Sequence, residues 1–410
     1  MVKATAPNTS RHQKGGANHP ILVQGLGFLM ALIVVLTAAQ APLRLGLPIY
    51  TEQILALMLG LGLALCFLVT LSWKKNPTPL RIWTDRLLAS FGLVCGCYLA
   101  VRYPVLAQEY FYRQSEAMII GIVLIPLVLD GLRRMTGLGL VSVVLLFILY
   151  AIFADRVPGT LQGRAIAPYD MLSFLTVDNI AIFGLPLTII ATVVLAFIFF
   201  GQILQVSGAA QWFTDLSTAL VGGTRGGAAK IAVVASGLFG SISGSAVSNV
   251  ASTGVITIPL MRQGGFSRQM AAAFESVAST GGQIMPPIMG AAAFLMAEFL
   301  QTPYSSVVAG AALPSLLFYF AVLLQADMEA ARLGVKPLDA ASVPRLKNIL
   351  RDGWYFPIPF VLLVSVLFLW NLSPAEAALW SAGCMVILNL IFGRKIGRIT
   401  PRIFFNVKVP

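Results

Sequence analysis

GLFGSISGSAVSN (residues 237–249) and ASTGGQIMPP (residues 278–287) are two glycine- and serine-rich interruptions set in apolar, helix-forming sequence. Backbone freed from helical pairing at membrane depth persists only where it is buried in protein or lines a polar cavity. Two such interruptions so close together point to a binding site inside the membrane. They also predict the fold: an all-helical integral membrane protein in which a re-entrant hairpin and a broken helix stand among plain transmembrane spans.

Composition agrees. Of the 410 residues 58% are hydrophobic and only 11% charged, against about 25% charged in a typical soluble domain. Residues 231–261 contain no Asp, Glu, Lys or Arg, and neither do 276–297 or 299–326. About 20 apolar residues cross the hydrocarbon core, so these runs are of spanning size. The net charge of +12 comes from short basic clusters between apolar segments, which is topology information and not the signature of a nucleic-acid partner. Counting loops alternately, all Lys and Arg but Arg44, Arg102, Arg113, Arg156 and Arg164 fall on one side. By the positive-inside rule that side is cytoplasmic.

Outward from the two interruptions, the flanks of residues 230–261 are both basic: Arg225 and Lys230 before, Arg262 and Arg268 after. The segment therefore enters and leaves on the cytoplasmic side, yet it is too short for two crossings at about 20 residues each. A re-entrant hairpin with its tip at 243–249 satisfies both constraints. Residues 269–299 then span with a break at 279–287, 304–325 return, and 355–372 with 377–392 form a last pair. Upstream, 207–227 reads as a helix lying flat at the membrane surface, because its apolar residues recur at helical spacing beside polar ones. A long span covers 179–205, a polar external loop 155–178, and earlier spans 21–39, 54–73, 87–101, 117–132 and 137–153. Residues 1–19 are a polar, basic cytoplasmic tail. Trp73, Trp83, Trp354, Tyr355, Trp370 and Trp380 fall near the ends of spans, as interface anchors do.

Several chemistries are excluded. His12 and His19 lie in the N-terminal tail, so no histidine is available for acid/base work within the membrane. Cys66, Cys95, Cys97 and Cys384 lie within apolar spans, where they act as small packing residues. No Walker loop is present, so uphill work comes from an ion gradient or from another subunit. The polar clusters hold hydroxyls and amides but no nucleophile beside a base, which argues against an enzyme.

At the hairpin tip, Ser241, Ser243, Ser245, Ser248 and Asn249 stand beside Gly240 and Gly244. Glycine frees the backbone, so carbonyls can converge with hydroxyl and amide oxygens, a donor set suited to a hard monovalent cation such as sodium. Taken alone, the cluster reads more readily as a close helix-packing surface. In the second interruption Gly281, Gly282, Pro286 and Pro287 break a spanning helix, since proline lacks a donor and clashes with the preceding turn. Ser279, Thr280 and Gln283 add polar groups at the same depth. Helix halves aim their positive N-terminal ends at such a break, which favours an anionic group. Glu275 and Glu298 flank the break. Each is a candidate proton or cation site, or a carboxylate that reaches interfacial water.

With Ile258-Pro-Leu-Met261 and the run 278–299 added, the chain resembles a fused permease of the tripartite ATP-independent periplasmic (TRAP) transporter family. The resemblance is strong over roughly residues 180–335. Residues 20–154 are similar, more loosely, to the small membrane subunit joined to the large one; 155–178 would be a periplasmic loop, 179–335 a transport-domain half, and 336–410 further helices with a basic tail. The resemblance implies an elevator-type secondary transporter of the bacterial inner membrane. No cofactor is implied beyond sodium as coupling ion, and the partners would be the lipid bilayer, a small organic acid and the periplasmic binding protein that delivers it. Carried onto this sequence, Ser243, Gly244, Ser245, Ser248, Asn249, Ser279, Thr280, Gly281, Gly282 and Gln283 would form the cation and substrate site. Ser245, Asn249 and Gly281 would be sodium ligands, and Pro286 and Pro287 the helix break. Fused permeases continue with a second, inverted half, and no further hairpin and broken helix occur before Pro410. The expectation is a truncated permease, with a separate chain supplying the second half as the alternative. A channel built on re-entrant loops is the rival from another class.

Overall fold

The computed structural model describes residues 21–72, 78–108, 115–370 and 372–392. Among them the fold is entirely helical. The tail expected at 1–19, the basic end from 393, and residues 73–77 and 109–114, which carry Trp73 and Arg113, lie outside the described residues. The chain opens with α1 (Ile21–Ala38) and the single turn α2 (Ala41–Arg44) and divides into two compact units, with α1 split between them at Leu32 and α2 in the second.

The first unit holds Pro48–Leu187. Helices α3 (Thr51–Ser72) and α4 (Pro79–Gln108) lie side by side, followed by α5 (Ser115–Thr136), α6 (Leu138–Ile152) and α7 (Pro168–Val177). Small residues set the α3–α4 distance: a Cβ added to Gly96 would stand 2.6 Å from the Cα of Gly60. Without a hydrophobic drive between helices in lipid, such close packing holds spans together. Charge is buried here as well. Asp85, 1% exposed, pairs with Arg134 at 2.7 Å, and Arg134 also pairs with Asp130 at 2.8 Å and lies over the Phe67 ring. The stretch read as a polar loop is more ordered than its composition implies. Short 3-10 turns occupy Ala154–Arg156 and Gly159–Leu161, and α7 buries Met171, Ser173, Thr176 and Val177 while packing on α5.

One apolar span, made of α8 (Leu185–Ile189), a π turn and α9 (Leu195–Val206), carries the chain from the end of the first unit into the second, which holds Ile33–Leu47 and the residues from Thr188 onward. Helix α10 (Ala209–Val221) is amphipathic, as read. It buries Ala209, Trp212, Phe213, Thr214 and Ser217 and packs against α11 and α16. The hairpin is α11 (Gly227–Ser243) and α12 (Ala246–Gln263), the broken helix is α13 (Arg268–Gly281) and α14 (Ala291–Phe299), and α15 (Tyr304–Leu333) returns alongside them. Alanines carry much of the contact: Ala228, Ala229 and Ala232 of α11, Ala278 of α13, and Ala326 and Ala330 of α15 share one buried cluster with Phe274 and Val322. Their small side chains let three helices approach closely.

Helices α16 (Leu346–Gly353), α17 (Pro357–Phe368) and α18 (Pro374–Phe392) complete the unit. The expected span at 355–372 is only the 12 residues of α17, bent by 61° from α16. Trp212 explains the bend's tight corner: its indole N–H donates to the Ile349 carbonyl at 3.1 Å, and a Cβ on Gly353 would stand 2.0 Å from that nitrogen. Tyr355 is not an interface anchor. It is 2% exposed and stacks on Phe356 and Phe392, whereas Trp83, Trp354, Trp370 and Trp380 are all exposed. Among the described residues seven helices are long and apolar enough to span. The shortfall against the sequence reading arises from α6, α13, α14 and α17, which are too short to cross alone.

Candidate functional site

The first interruption is narrower than its composition suggests. Helix α11 ends where Gly244 takes φ +58°, a left-handed conformation that glycine adopts without a Cβ penalty. Ser245 then caps α12 by accepting the Ser248 backbone N–H at 3.4 Å. The tip is therefore Gly244 and Ser245, and Ser248 and Asn249 belong to the first turn of α12. The second interruption is shifted towards the C-terminus of its expected place: Ser279 and Thr280 are the last turn of α13, and the non-helical backbone runs from Gly282 to Gly290.

The two interruptions meet. A Cβ on Gly240 would lie 2.5 Å from the Cα of Gly282, and one on Gly244 would lie 2.1 Å from the Met289 carbonyl oxygen. The Ile288 N–H donates to the Ser241 carbonyl at 3.3 Å, tying one break to the other. Tyr304 supports the second break from α15 by donating to its carbonyls, 3.1 Å from that of Pro287 and closer to that of Ile288. Tyr319 donates to the Ala278 carbonyl at 2.8 Å.

At this junction α11 and α13 end while α12 and α14 begin. The last carbonyls of a helix and its first N–H groups have no intrahelical partner, and they carry the negative and positive ends of the helix dipole. Both polarities thus converge, and the sequences of the tip and the break contain no charged residue.

The candidate residues separate by role. Gly244 and Gly282 make the close approach. Ser243 is half-buried, its hydroxyl 3.4 Å from the Ser245 carbonyl. Asn249 is fully buried, and its amide donates to the Ser236 carbonyl at 2.8 Å. Gly281 does not face the hairpin: a Cβ there would meet the Phe318 ring at 2.2 Å. Thr280 and Gln283 are exposed, and the Thr280 hydroxyl donates back to Ser276. Pro286 and Pro287 lie half-buried inside the break. The two glutamates part company. Glu298 is exposed, but Glu275 is 0% exposed.

Glu275 is instead the centre of a hydroxyl network that composition alone did not reveal. Its Oε1 accepts from Thr253 at 2.6 Å, Ser236 at 3.1 Å and Ser279 at 3.2 Å, and its Oε2 faces the Thr257 hydroxyl. Thr253 also lies 3.3 Å from Asn249 Oδ1. A signal was present in the spacing. Asn249, Thr253 and Thr257 recur every four residues on α12, and Glu275 and Ser279 are four apart on α13, which aligns each set on one helix face. Gly254 makes room for the glutamate, since a Cβ there would stand 3.2 Å from Glu275 Cγ.

Within the second unit, two broken elements meet at their tips among apolar helices, an arrangement compatible with a membrane permease. The family model for the DctM component of the tripartite ATP-independent periplasmic transporter matches residues 122–404, and the chain belongs to that family. Among its relatives is the C4-dicarboxylate TRAP transporter large permease protein DctM of Rhodobacter capsulatus, 26% identical over 279 residues that make up 65% of this chain and 59% of that one. The sialic acid TRAP transporter large permease protein SiaM of Vibrio cholerae is 22% identical over 215 residues, 52% and 48% of the two chains. The isethionate TRAP transporter permease protein DctMQ of Oleidesulfovibrio alaskensis is 23% identical over 245 residues, 58% and 36%. The chain spans less than two thirds of the length of these curated relatives. The family is one of permeases, not enzymes, and the chain is a multi-pass membrane protein.

Proposed function

We propose that this chain carries binding-site elements of a permease that imports a small organic carboxylate across the bacterial inner membrane on a sodium gradient. The cargo would be handed over by a soluble periplasmic binding protein. The observation that carries the reading is the contact of the two interruptions at Gly240, Gly244, Gly282 and Met289, where helix ends of both polarities gather without a charged side chain. The carbonyl ends of α11 and α13, with Ser243 and Asn249 near them, suit a desolvated monovalent cation. The N-terminal ends of α12 and α14 suit a carboxylate. The relatives named for C4-dicarboxylate, sialic acid and isethionate are consistent with anionic cargo. The absence of a Walker loop from the sequence fits coupling to a gradient.

The test is uptake of labelled C4-dicarboxylate, sialic acid and isethionate into proteoliposomes holding the full chain with its binding protein, under an inward sodium gradient. Saturable uptake that requires both sodium and the binding protein is the expected result. Flux that rises linearly with substrate and ignores sodium would replace the carrier with a channel.

A further inference from the structure

Helix α16 is rich in charge and buries only part of its apolar side. From Lys336 to Trp354 the basic residues are Lys336, Arg345, Lys347 and Arg351, against the acidic Asp339 and Asp352. Arg345, Lys347 and Arg351 are all exposed, with Arg351 3.7 Å from Asp352. A helix turns once in 3.6 residues, so its faces can be taken in order around the axis. Ile349 and Gly353 are buried, Gly353 directly against the Trp212 indole of α10. Beside them Leu346, Leu350 and Trp354, spaced by four, form an apolar stripe that is exposed along its length. Next come Lys347 and Arg351, again four apart, and only then the polar Asn348 and Asp352. One flank of the apolar stripe therefore adjoins α10, and a row of two cations borders the other.

The level of α16 in the bilayer follows from what it joins. Helix α17 begins three residues after Trp354, carries no charge and is turned by 61° from α16. Exposed Lys and Arg are costly in the hydrocarbon core, so the bend leaves α16 at the boundary while α17 enters. The side is the one that the basic clusters assign to the cytoplasm. A helix lying in that plane sinks an apolar stripe of Leu and Trp about 5–10 Å into the boundary and holds the neighbouring cations among the headgroups. Two such cations multiply binding to an anionic surface by roughly thirtyfold, about 1 kcal/mol each. A zwitterionic surface does not supply that gain.

We propose that α16 is a docking surface for anionic phospholipid of the cytoplasmic leaflet. Leu346, Leu350 and Trp354 enter the acyl boundary, and Lys347 and Arg351 meet the headgroup phosphates. The surface is separate from the junction of the two interruptions, so it stands or falls independently of the cargo and the coupling ion.

The test is hydrogen exchange, read by mass spectrometry, on the full chain in nanodiscs of phosphatidylcholine alone or with phosphatidylglycerol added. In the wild type the amides of residues 345–354 exchange roughly thirtyfold more slowly in the anionic disc. Molar sodium chloride removes the difference, because it screens the cations from the surface. Lys347→Gln with Arg351→Gln exchanges alike in both discs. Should that double variant fail to fold, Arg351→Gln alone decides, with the difference reduced about fivefold. Equal exchange of the wild type in the two discs overturns the proposal, as does a difference that persists in the double variant or in molar salt. Slowing by soluble glycerol phosphate in the zwitterionic disc replaces the leaflet with a free phosphate ligand. Slowing confined to discs that hold two copies replaces it with a second chain. Either result overturns the lipid assignment.

Discussion

Alanine at Gly240 probes the contact on which the site depends. Its Cβ would stand 2.5 Å from the Cα of Gly282 and 2.9 Å from the Asn249 amide nitrogen. Carbon pairs rest at about 3.5–4.0 Å, so the hairpin and the second break would have to separate by roughly 1 Å. Forcing an extra methyl into a packed interior costs about 1–3 kcal/mol. Alanine also favours the helix over glycine by about 1 kcal/mol, which obscures the clash in a single measurement. Gly310 of α15 supplies the control, because a Cβ there meets nothing within 4 Å. The propensity term is common to both variants, so Gly240→Ala should unfold about 1–3 kcal/mol more easily than Gly310→Ala. Thermal or denaturant unfolding in micelles reads the difference. Gly282→Ala should behave like Gly240→Ala, and the double variant should cost less than the sum, because one displacement relieves both clashes. Equal stability of Gly240→Ala and Gly310→Ala would refute the close approach, and with it the construction of the site.

Three further outcomes follow from other parts of the fold. Arg134→Met leaves the buried Asp85 carboxylate only its longer, 3.6 Å contact with Arg81, which should destabilise the first unit by up to about 3 kcal/mol in the same unfolding assay. Trp212→Phe removes the donor to Ile349 and should cost about 1 kcal/mol, with proteolysis near α16 as an independent reading. Burial pushes the Asp215 carboxyl above its ordinary range, partly opposed by the Gln211 amide. A group whose folded value is raised favours folding at low pH and loses that contribution as pH rises through the folded value. Asp215→Asn should therefore be more stable than the wild type near neutral pH, and the advantage should vanish as pH falls towards the ordinary aspartate range of about 4.

Where the sequence carries a local cause, it could be read. Flanking basic residues with too little chain between them forced a hairpin at α11 and α12, and the pair Gly281–Gly282 with Pro286 and Pro287 forced the break after α13. Boundaries moved because caps, not composition, set them: Ser245 caps α12, so Asn249 is helical and not part of the tip. Gly281 and Gly282 are adjacent and chemically identical, yet one faces Phe318 and the other Gly240. Their neighbours come from helices distant in sequence, which composition does not register. Glu275 lies seven residues from Arg268, and counting along the chain left open both a proton or cation site and a carboxylate that reaches interfacial water. The structure buries it because α11 and α12 fold over that face. Periodicity of four in Asn249, Thr253 and Thr257 was available as a sign, and hydroxyl residues are easily passed over as mere packing. Tyr355 followed the rule for aromatic residues at span ends and broke it, because α17 is short and Phe392 covers the ring.

The junction of α11, α12, α13 and α14 has one further implication. Two helices stop and two start within a few residues of a common point, so the electrostatic potential there changes sign over a distance comparable to one small molecule. A solitary ion of either sign gains from one pair of ends and is repelled by the other. Two opposite charges arriving side by side gain from both. Such a place would discriminate in favour of joint occupancy without a single ionised residue at the tips, and would leave little reward for the passage of either species by itself.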